Sequence, residues 1–207
     1  MDAWLSKVRE LIDKEYPEII QIGAGDGETT QTLYDLFGIG ANILIFEANP
    51  KLAKIIKRKF KKQQNKPTVC PWGIGDVKSQ SELIIPKSHP NSGSLSRPKE
   101  HCNVWPDIEF NQKQLVLIEP LDHSGVCDDY DPDLVIIDVN GHELSVIRGS
   151  IETLNRSKYI VVEYHNKKLY HNSASLEQIK TALGFQFELI GTFDDLGNYG
   201  NALFRRN

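Results

Sequence analysis

An apolar run that stops at a cluster of glycines and resumes with helical spacing constrains this chain more than any other feature. Ile19, Ile20 and Ile22 read as a buried strand, Gly23-Ala24-Gly25-Asp26-Gly27 as a tight turn, and Thr29 to Phe37 as a helix with Leu33, Leu36 and Phe37 inward. Glycines let a backbone turn sharply and approach a ligand, and the helix start behind them offers unpaired amides. The unit recurs along the chain. Ile43 to Phe46 is a second strand, stopped by Glu47-Ala48-Asn49-Pro50, and Pro50 sits where a helix would begin, with Leu52, Ile55, Ile56 and Phe60 facing in. Val69 to Ile74 reads as a third strand, and Glu82 to Ile85 folds back after the Gly75-Asp76 turn as an extra hairpin arm. Leu134 to Val139 and Tyr159 to Val162 are two more strands, separated by one helix defined by Leu144, Ile147, Ile151 and Leu154. Leu176, Ile179 and Leu183 give a last helix before a closing pair, Phe185 to Ile190 and Ala202 to Phe204. Ahead of all this, Leu5, Val8, Leu11 and Ile12 mark a short amphipathic helix that Asp2 could cap and that ends before Pro17. Strands alternating with helices predict an α/β fold: a mostly parallel sheet covered on both faces, with ligands at the carboxyl ends of the strands.

Length and charge narrow the function classes. A chain of 207 residues, 40% apolar and 25% charged, fits one domain over 1–207 with a continuous core. The net charge of −4 gives no support to a general nucleic-acid binder. The eight basic residues between Lys51 and Lys66 contain no acid, but Leu52, Ile55, Ile56 and Phe60 run through them at helical spacing. That is an amphipathic helix with a cationic solvated face; Phe60 is its one aromatic residue and reads as buried, so base stacking finds no platform there. Cys70, Cys102 and Cys127 are widely spaced, which suggests neither a zinc knuckle nor a disulfide framework and fits a reducing compartment. Residues 1–10 lack the apolar stretch of a leader, and no run approaches a membrane span, so the expectation is a cytoplasmic protein.

The spacing of the glycine turn counts against two cofactor classes, nicotinamide dinucleotides and ATP. A dinucleotide fingerprint would place its third glycine at position 28, where this chain has Glu28, and the phosphate-loop pattern is absent. Glu47 lies at the end of the second strand, 21 residues past Asp26, where a carboxylate can accept hydrogen bonds from both hydroxyls of a ribose. The Pro86 to Gln112 stretch, rich in Ser, Asn, Pro and His, is longer than packing needs and is functional or mobile; Leu115 to Ile118 is a short strand beyond it.

Six segments in this order resemble the FkbM-type methyltransferases, a branch of the S-adenosylmethionine (SAM)-dependent Rossmann-like class. They are Ile22-Gly23-Ala24-Gly25-Asp26-Gly27, Phe46-Glu47-Ala48-Asn49-Pro50, Trp72-Gly73-Ile74-Gly75-Asp76, Ser92-Gly93-Ser94-Leu95, Asp133 to Gly149, and Val162-Glu163. The resemblance implies a seven-stranded SAM-binding sheet with an antiparallel last strand. It also implies methylation of a hydroxyl, often on a sugar or another small natural product, by this chain or by a larger glycan-building polypeptide of which it is a module. The cofactor residues it implies are Gly23, Ala24, Gly25, Asp26, Glu47, Ala48, Trp72, Gly73 and Ile74. Three positions depart from the pattern: Gln21 stands where the class usually has an acid, Gly25 where the family often has Asn, and Asn140 where it has Glu.

An aliphatic hydroxyl is a poor nucleophile until a base or a metal takes its proton. Asp138 ends the fourth strand, His142 and Glu143 open the next helix, and Glu163, His165 and Asn166 end the fifth strand beside it. The candidate catalytic set is Asp138, His142, Glu163 and His165. Two chemistries stay open: His142 or His165 as general base, or Asp138 and Glu163, with Asn140 or Asn166, holding Mg²⁺ or Mn²⁺. Glu143 alone reads as a helix N-terminal acid. Trp72, Trp105 and Ser92-Gly93-Ser94 are placed at the mouth of the cleft, where aromatic faces suit sugar rings. The expected partner is a small molecule or glycan with a free hydroxyl. The rival readings are a SAM-binding module without turnover and an RNA methyltransferase using the Lys51 to Lys66 face.

Overall fold

A computed structural model describes residues 2–207. Its elements follow the chain as α1 (Ala3–Leu11), β1 (Glu18–Ile22), α2 (Glu28–Phe37), β2 (Asn42–Phe46), α3 (Pro50–Lys59), β3 (Thr68–Cys70), β4 (Gly73–Ile74), β5 (Ser79–Ile85) and α4 (His101–Val104). Then come β6 (Gln112–Glu119), β7 (Leu134–Ile137), α5 (Glu143–Arg148), α6 (Ile151–Arg156), β8 (Tyr159–His165), α7 (Leu176–Leu183), β9 (Phe187–Phe193) and β10 (Tyr199–Arg206). Seven strands form one sheet in the order β3-β2-β1-β7-β8-β10-β9, and only β10 runs antiparallel to its neighbours. This is the predicted Rossmann-like α/β fold with an antiparallel last strand.

Alternation along the central strands divides the core between two faces. Ile20, Ile22, Leu44 and Phe46 point to one face, where Val146 and Ile147 of α5, Leu154 of α6 and Ile179 of α7 cover them. Ile19, Ile43 and Ile45 point to the other, under Leu5 and Val8 of α1, Leu33 of α2 and Ile56 of α3. At the start of α3 the Asn49 side chain accepts from Lys51 N at 3.0 Å, with Pro50 in the first turn, so the second strand hands over to its helix directly. Among the described residues no helix is long and apolar enough to cross a membrane.

Several boundaries differ from the sequence reading, each for a tertiary reason. The Val69 to Ile74 segment is two strands: pairing with β2 ends at Cys70, Pro71 has no amide to continue it, and β4 joins a separate sheet ordered β4-β6-β5. The arm at Glu82 to Ile85 belongs to β5, which pairs antiparallel with β6 rather than folding back on the third strand. Leu83, Ile85, Val116 and Ile118 bury one face of that small sheet, while Leu115 and Leu117 face solvent. The helix predicted through Leu144 and Leu154 is α5 and α6, broken at Gly149, where a Cβ would stand 2.0 Å from the Gly75 carbonyl oxygen. Ile151 and Ile55 are exposed rather than inward, and Phe185 lies outside β9. Asp2 makes no capping bond; Asp194 Oδ1 accepts from Ala3 N at 3.1 Å instead, a cap supplied from the other end of the chain.

Candidate active site

The carboxyl ends of β1, β2 and β7 meet at the glycine turn. Gly23 has φ +79° and donates its N–H to the Phe46 carbonyl at 2.8 Å. A Cβ on Gly23 would lie 1.8 Å from the Asp138 carbonyl oxygen, so both the backbone conformation and the contact demand glycine. Glu47, buried at the end of β2, ties this turn together. Its Oε2 accepts from Ala24 N at 3.0 Å and Gly25 N at 2.9 Å, and its Oε1 from Asn49 N at 2.7 Å. Burial pushes the Glu47 carboxyl above the usual range, against the three amide bonds, which favour the charged form. Gln21 is satisfied without an acid: its Oε1 accepts from the Thr30 hydroxyl at 2.7 Å.

A cavity of about 170 Å³ opens over this turn, lined by Gly23, Ala24, Gly25, Asp26, Glu47, Ala48, Gly73 and Ile74. The lining includes every residue expected from the sequence to meet the cofactor except Trp72. Trp72 does not line the cavity; it packs edge-on against Phe46 at 5.9 Å, with its indole Nε1 buried and unpartnered. The reason is Pro71, which ends the main-sheet ladder and turns the chain toward β4. A turn that admits no Cβ at Gly23, beside a carboxylate able to take ribose hydroxyls, fits the adenosine half of SAM.

A second, larger cavity of about 480 Å³ lies beyond Asp138, which lines both. Asp138 follows β7 and donates its N–H to the Ile22 carbonyl at 3.0 Å. Its carboxyl is open to the cavities but ringed by protein at the bottom of the cleft, and that desolvation pushes it up to about 6. Glu163 and His165, two residues apart on β8, project from the same face of the strand into this second cavity. His165 Nε2 lies 3.4 Å from Glu163 Oε2. Burial pushes His165 down to about 4, so the pair is a neutral imidazole beside a carboxyl group. Glu163 is held well above the usual carboxylate range by burial, with Asp138 and Glu143 adding to it.

His142 does not join this set. It precedes α5, lines the first cavity, and packs over Gly75, whose Cβ would lie 3.1 Å from the unpartnered Nε2. Glu143, the next residue along, joins Glu163 and His165 instead. It is fully buried, its Oε1 accepts from Gly141 N at 2.7 Å, its Oε2 has no partner, and burial pushes it up to about 7. Glu143, Glu163 and His165 offer atoms that lie within 4.8 Å of one another. This differs from the metal set read from the sequence. Asn166 turns away, donating from Nδ2 to both oxygens of Asp195, and Asn140 is engaged elsewhere.

Asn140 holds the long loop over the site. In the left-handed region at φ +54°, its Nδ2 donates to the carbonyls of Asn91 (3.0 Å) and Gly93 (3.3 Å). The Ser94 hydroxyl donates to the Asn140 carbonyl at 2.6 Å, and the Tyr170 hydroxyl to the Ser92 carbonyl at 3.2 Å. A glutamate here would have no proton to give these carbonyls, which accounts for the asparagine. The Asn91 side chain thereby rests over Gly25, within 3.0 Å of where a Cβ would stand. Trp105 lines the second cavity as predicted, joined by Tyr170 and Tyr199, which sequence spacing did not single out. His101, without distinguishing spacing in the sequence, links these rings: its centroid lies 4.7 Å from that of Trp105 and 5.4 Å from that of Tyr170.

Comparison with known proteins agrees with this geometry. Residues 21–189 match the family described as methyltransferase FkbM domain. The 2-O-methyltransferase NoeI of Sinorhizobium fredii (strain NBRC 101917 / NGR234) is 27% identical over 214 residues, which cover 96% of this chain and 83% of the relative. Among solved structures, methyltransferase FkbM from Methylobacillus flagellatus KT aligns over 95% of this chain with a TM-score of 0.63 and 15% identity; the alignment spans 45% of that chain. Aeropyrum pernix fibrillarin in complex with natively bound S-adenosyl-L-methionine aligns over 97% of this chain and 73% of its own, with a TM-score of 0.52 and 12% identity. At such identities the structural likeness shows the fold alone. Matched to the family model over most of its length, this chain belongs to the methyltransferase FkbM domain family and is a SAM-dependent methyltransferase.

Proposed function

We propose that this protein methylates a hydroxyl group of a carbohydrate acceptor, with residues 1–207 acting as one catalytic unit. The observation that carries the reading is the position of Asp138, the acidic side chain shared by a cavity shaped for the methyl donor and a larger one walled by aromatic and polar side chains. The printed activity of the relative from Sinorhizobium fredii, a 2-O-methyltransferase, supports oxygen as the methylated atom.

SAM, when bound, supplies a methyl group on a positively charged sulfur. The chain's own residues align, exclude water and move a proton. The glycine turn and Glu47 hold the adenosine half, and the Asn91 to Ser94 strap, latched by Asn140, covers it. In the second cavity Trp105 and Tyr199, with ring centroids 6.2 Å apart, offer apolar faces to a sugar ring. Asp138 accepts the proton of the hydroxyl, since a carboxyl raised to about 6 is a better proton acceptor near neutral pH than His165, lowered to about 4. Displacement at a methyl group is in line, so alignment across Asp138 contributes most of the acceleration.

A second reading rests on the Glu143, Glu163 and His165 cluster, whose donor atoms suit a divalent cation that would polarise the hydroxyl. EDTA separates the two: full activity after chelation supports Asp138 alone, whereas activity lost and restored by Mn²⁺ or Mg²⁺ selects the metal. The decisive experiment is mass spectrometry of glycans and free sugars incubated with protein and labelled SAM. A product heavier by one methyl group supports the proposal. S-adenosylhomocysteine binding without transfer to any hydroxyl would favour a non-catalytic binding module, and transfer to RNA alone would favour the RNA reading.

A further inference from the structure

The second cavity has a charge pattern that the methyl donor does not account for. Asp2, Asp138, Glu163 and Asp194 all line it, and among the described residues no lysine or arginine does. The two histidines that face it, His101 and His165, are buried in its wall. Of these four acids only Asp138 also borders the cofactor cavity, so the donor's positive sulfur can answer only that one.

Four polar atoms of this cavity also lack a hydrogen-bond partner among the described residues. Glu163 Oε2, with only His165 Nε2 near it at 3.4 Å, and Asp194 Oδ2 are buried and make no hydrogen bond. So are the Nδ1 atoms of His101 and His165, two side chains that are each only 4% exposed. Beside a cation these carboxylates are ionised and only accept, and each imidazole Nδ1 accepts in the tautomer that carries its proton on Nε2, so a ligand rich in donors satisfies all four atoms. Unmet acceptors in a concave, half-apolar site are costly unless a ligand satisfies them. The aromatic wall of Trp105, Tyr170 and Tyr199 adds negative ring faces to the same space.

We propose that the acceptor carries an ammonium group beside its hydroxyls, an amino sugar rather than a neutral or acidic one, and that Glu163 and Asp194 hold this group against the aromatic wall. The inference deepens the O-methylation reading and rests on it for the role of the cavity. An ammonium group brings three donors and one positive charge to four acids and four unmatched polar atoms. A phosphate, sulfate or uronate would face those acids with no cation between.

Binding tests this independently of turnover. Glucosamine, glucose and glucuronate are titrated calorimetrically into the full chain, with and without S-adenosylhomocysteine. Glucosamine is expected to bind about tenfold tighter than glucose, the ratio one desolvated cation–π or ion-pair contact supplies, with glucuronate not bound. Asp194→Asn is the informative variant. Asparagine tolerates the left-handed backbone at φ +52° and keeps an oxygen for Ala3 N, so the fold survives while the charge is lost. The preference should then fall below about threefold, with S-adenosylhomocysteine binding unchanged. Equal binding of glucose, binding of glucuronate, undetectable binding of glucosamine, or an unaltered preference in Asp194→Asn would each overturn the proposal. Absence of methyl transfer would count against the O-methylation reading and leave this binding result standing.

Discussion

The two cavities on either side of Asp138 are built from different materials. The cofactor cavity is made largely of backbone: the Gly23, Ala24 and Gly25 amides are held in place, the first by the Phe46 carbonyl and the other two by Glu47. The acceptor cavity is made of side chains, and four of its buried polar atoms have no hydrogen-bond partner among the described residues. The first is therefore pre-organised by its own hydrogen bonds and intolerant of any added atom. The second is complete only with a ligand. Damage to the first should show as lost folding or lost cofactor affinity, and damage to the second as lost turnover with cofactor affinity intact.

The largest expected effect tests the rigidity of the backbone-built side. Gly23→Ala places a methyl group 1.8 Å from the Asp138 carbonyl oxygen at a φ of +79°, so the turn cannot close. We expect a loss of about 3 kcal/mol or more, read by denaturant unfolding, with no measurable S-adenosylhomocysteine binding. Unchanged stability and affinity would show that the turn is looser than its geometry implies.

Asp138→Asn tests the border between the cavities. Removing the proton acceptor should lower kcat by about a hundredfold or more while S-adenosylhomocysteine affinity stays within about threefold. The wild-type kcat/KM should rise with pH as the carboxyl, raised to about 6, gives up its proton, and that limb should vanish in the variant. A limb that persists in Asp138→Asn would move the base to another group.

Glu47→Gln returns to the cofactor side with a smaller change. Either orientation of the new amide points a donor at backbone donors, at Ala24 and Gly25 or at Asn49. S-adenosylhomocysteine affinity should weaken by about tenfold, the worth of a charge-assisted hydrogen bond. Micromolar binding that survives the substitution unchanged would sink the ribose assignment. The smallest effect concerns the strap that joins the two sides. Asn140→Asp cannot donate to the Asn91 and Gly93 carbonyls, and amide exchange across 90–95 should quicken by the equivalent of about 1–2 kcal/mol. Protection unchanged in the variant would assign the strap's order to Ser94 and Tyr170 alone.

Local chemistry written in the sequence determined the sheet, its glycine turn and most of the lining of the first cavity. Strand periodicity, Gly23, Glu47 and Pro50 act over a few residues, so their meaning does not depend on distant partners. Tertiary structure decided what depends on which distant groups meet. The glycine break at Gly149 follows from its contact with Gly75, and the α1 cap comes from Asp194 because the chain ends converge there. In the acceptor cavity, sequence placed Asp138, Glu163 and His165 at strand ends but could not separate His142 from them or bring Glu143 to them. Side-chain direction at a helix start depends on the turn before it, and here Gly141, donating to Glu143, aims that carboxylate inward while His142 faces the cofactor side. The shift of Asp138 to about 6 likewise has no local cause, because desolvation is a property of everything that surrounds a group and not of its neighbours in the chain.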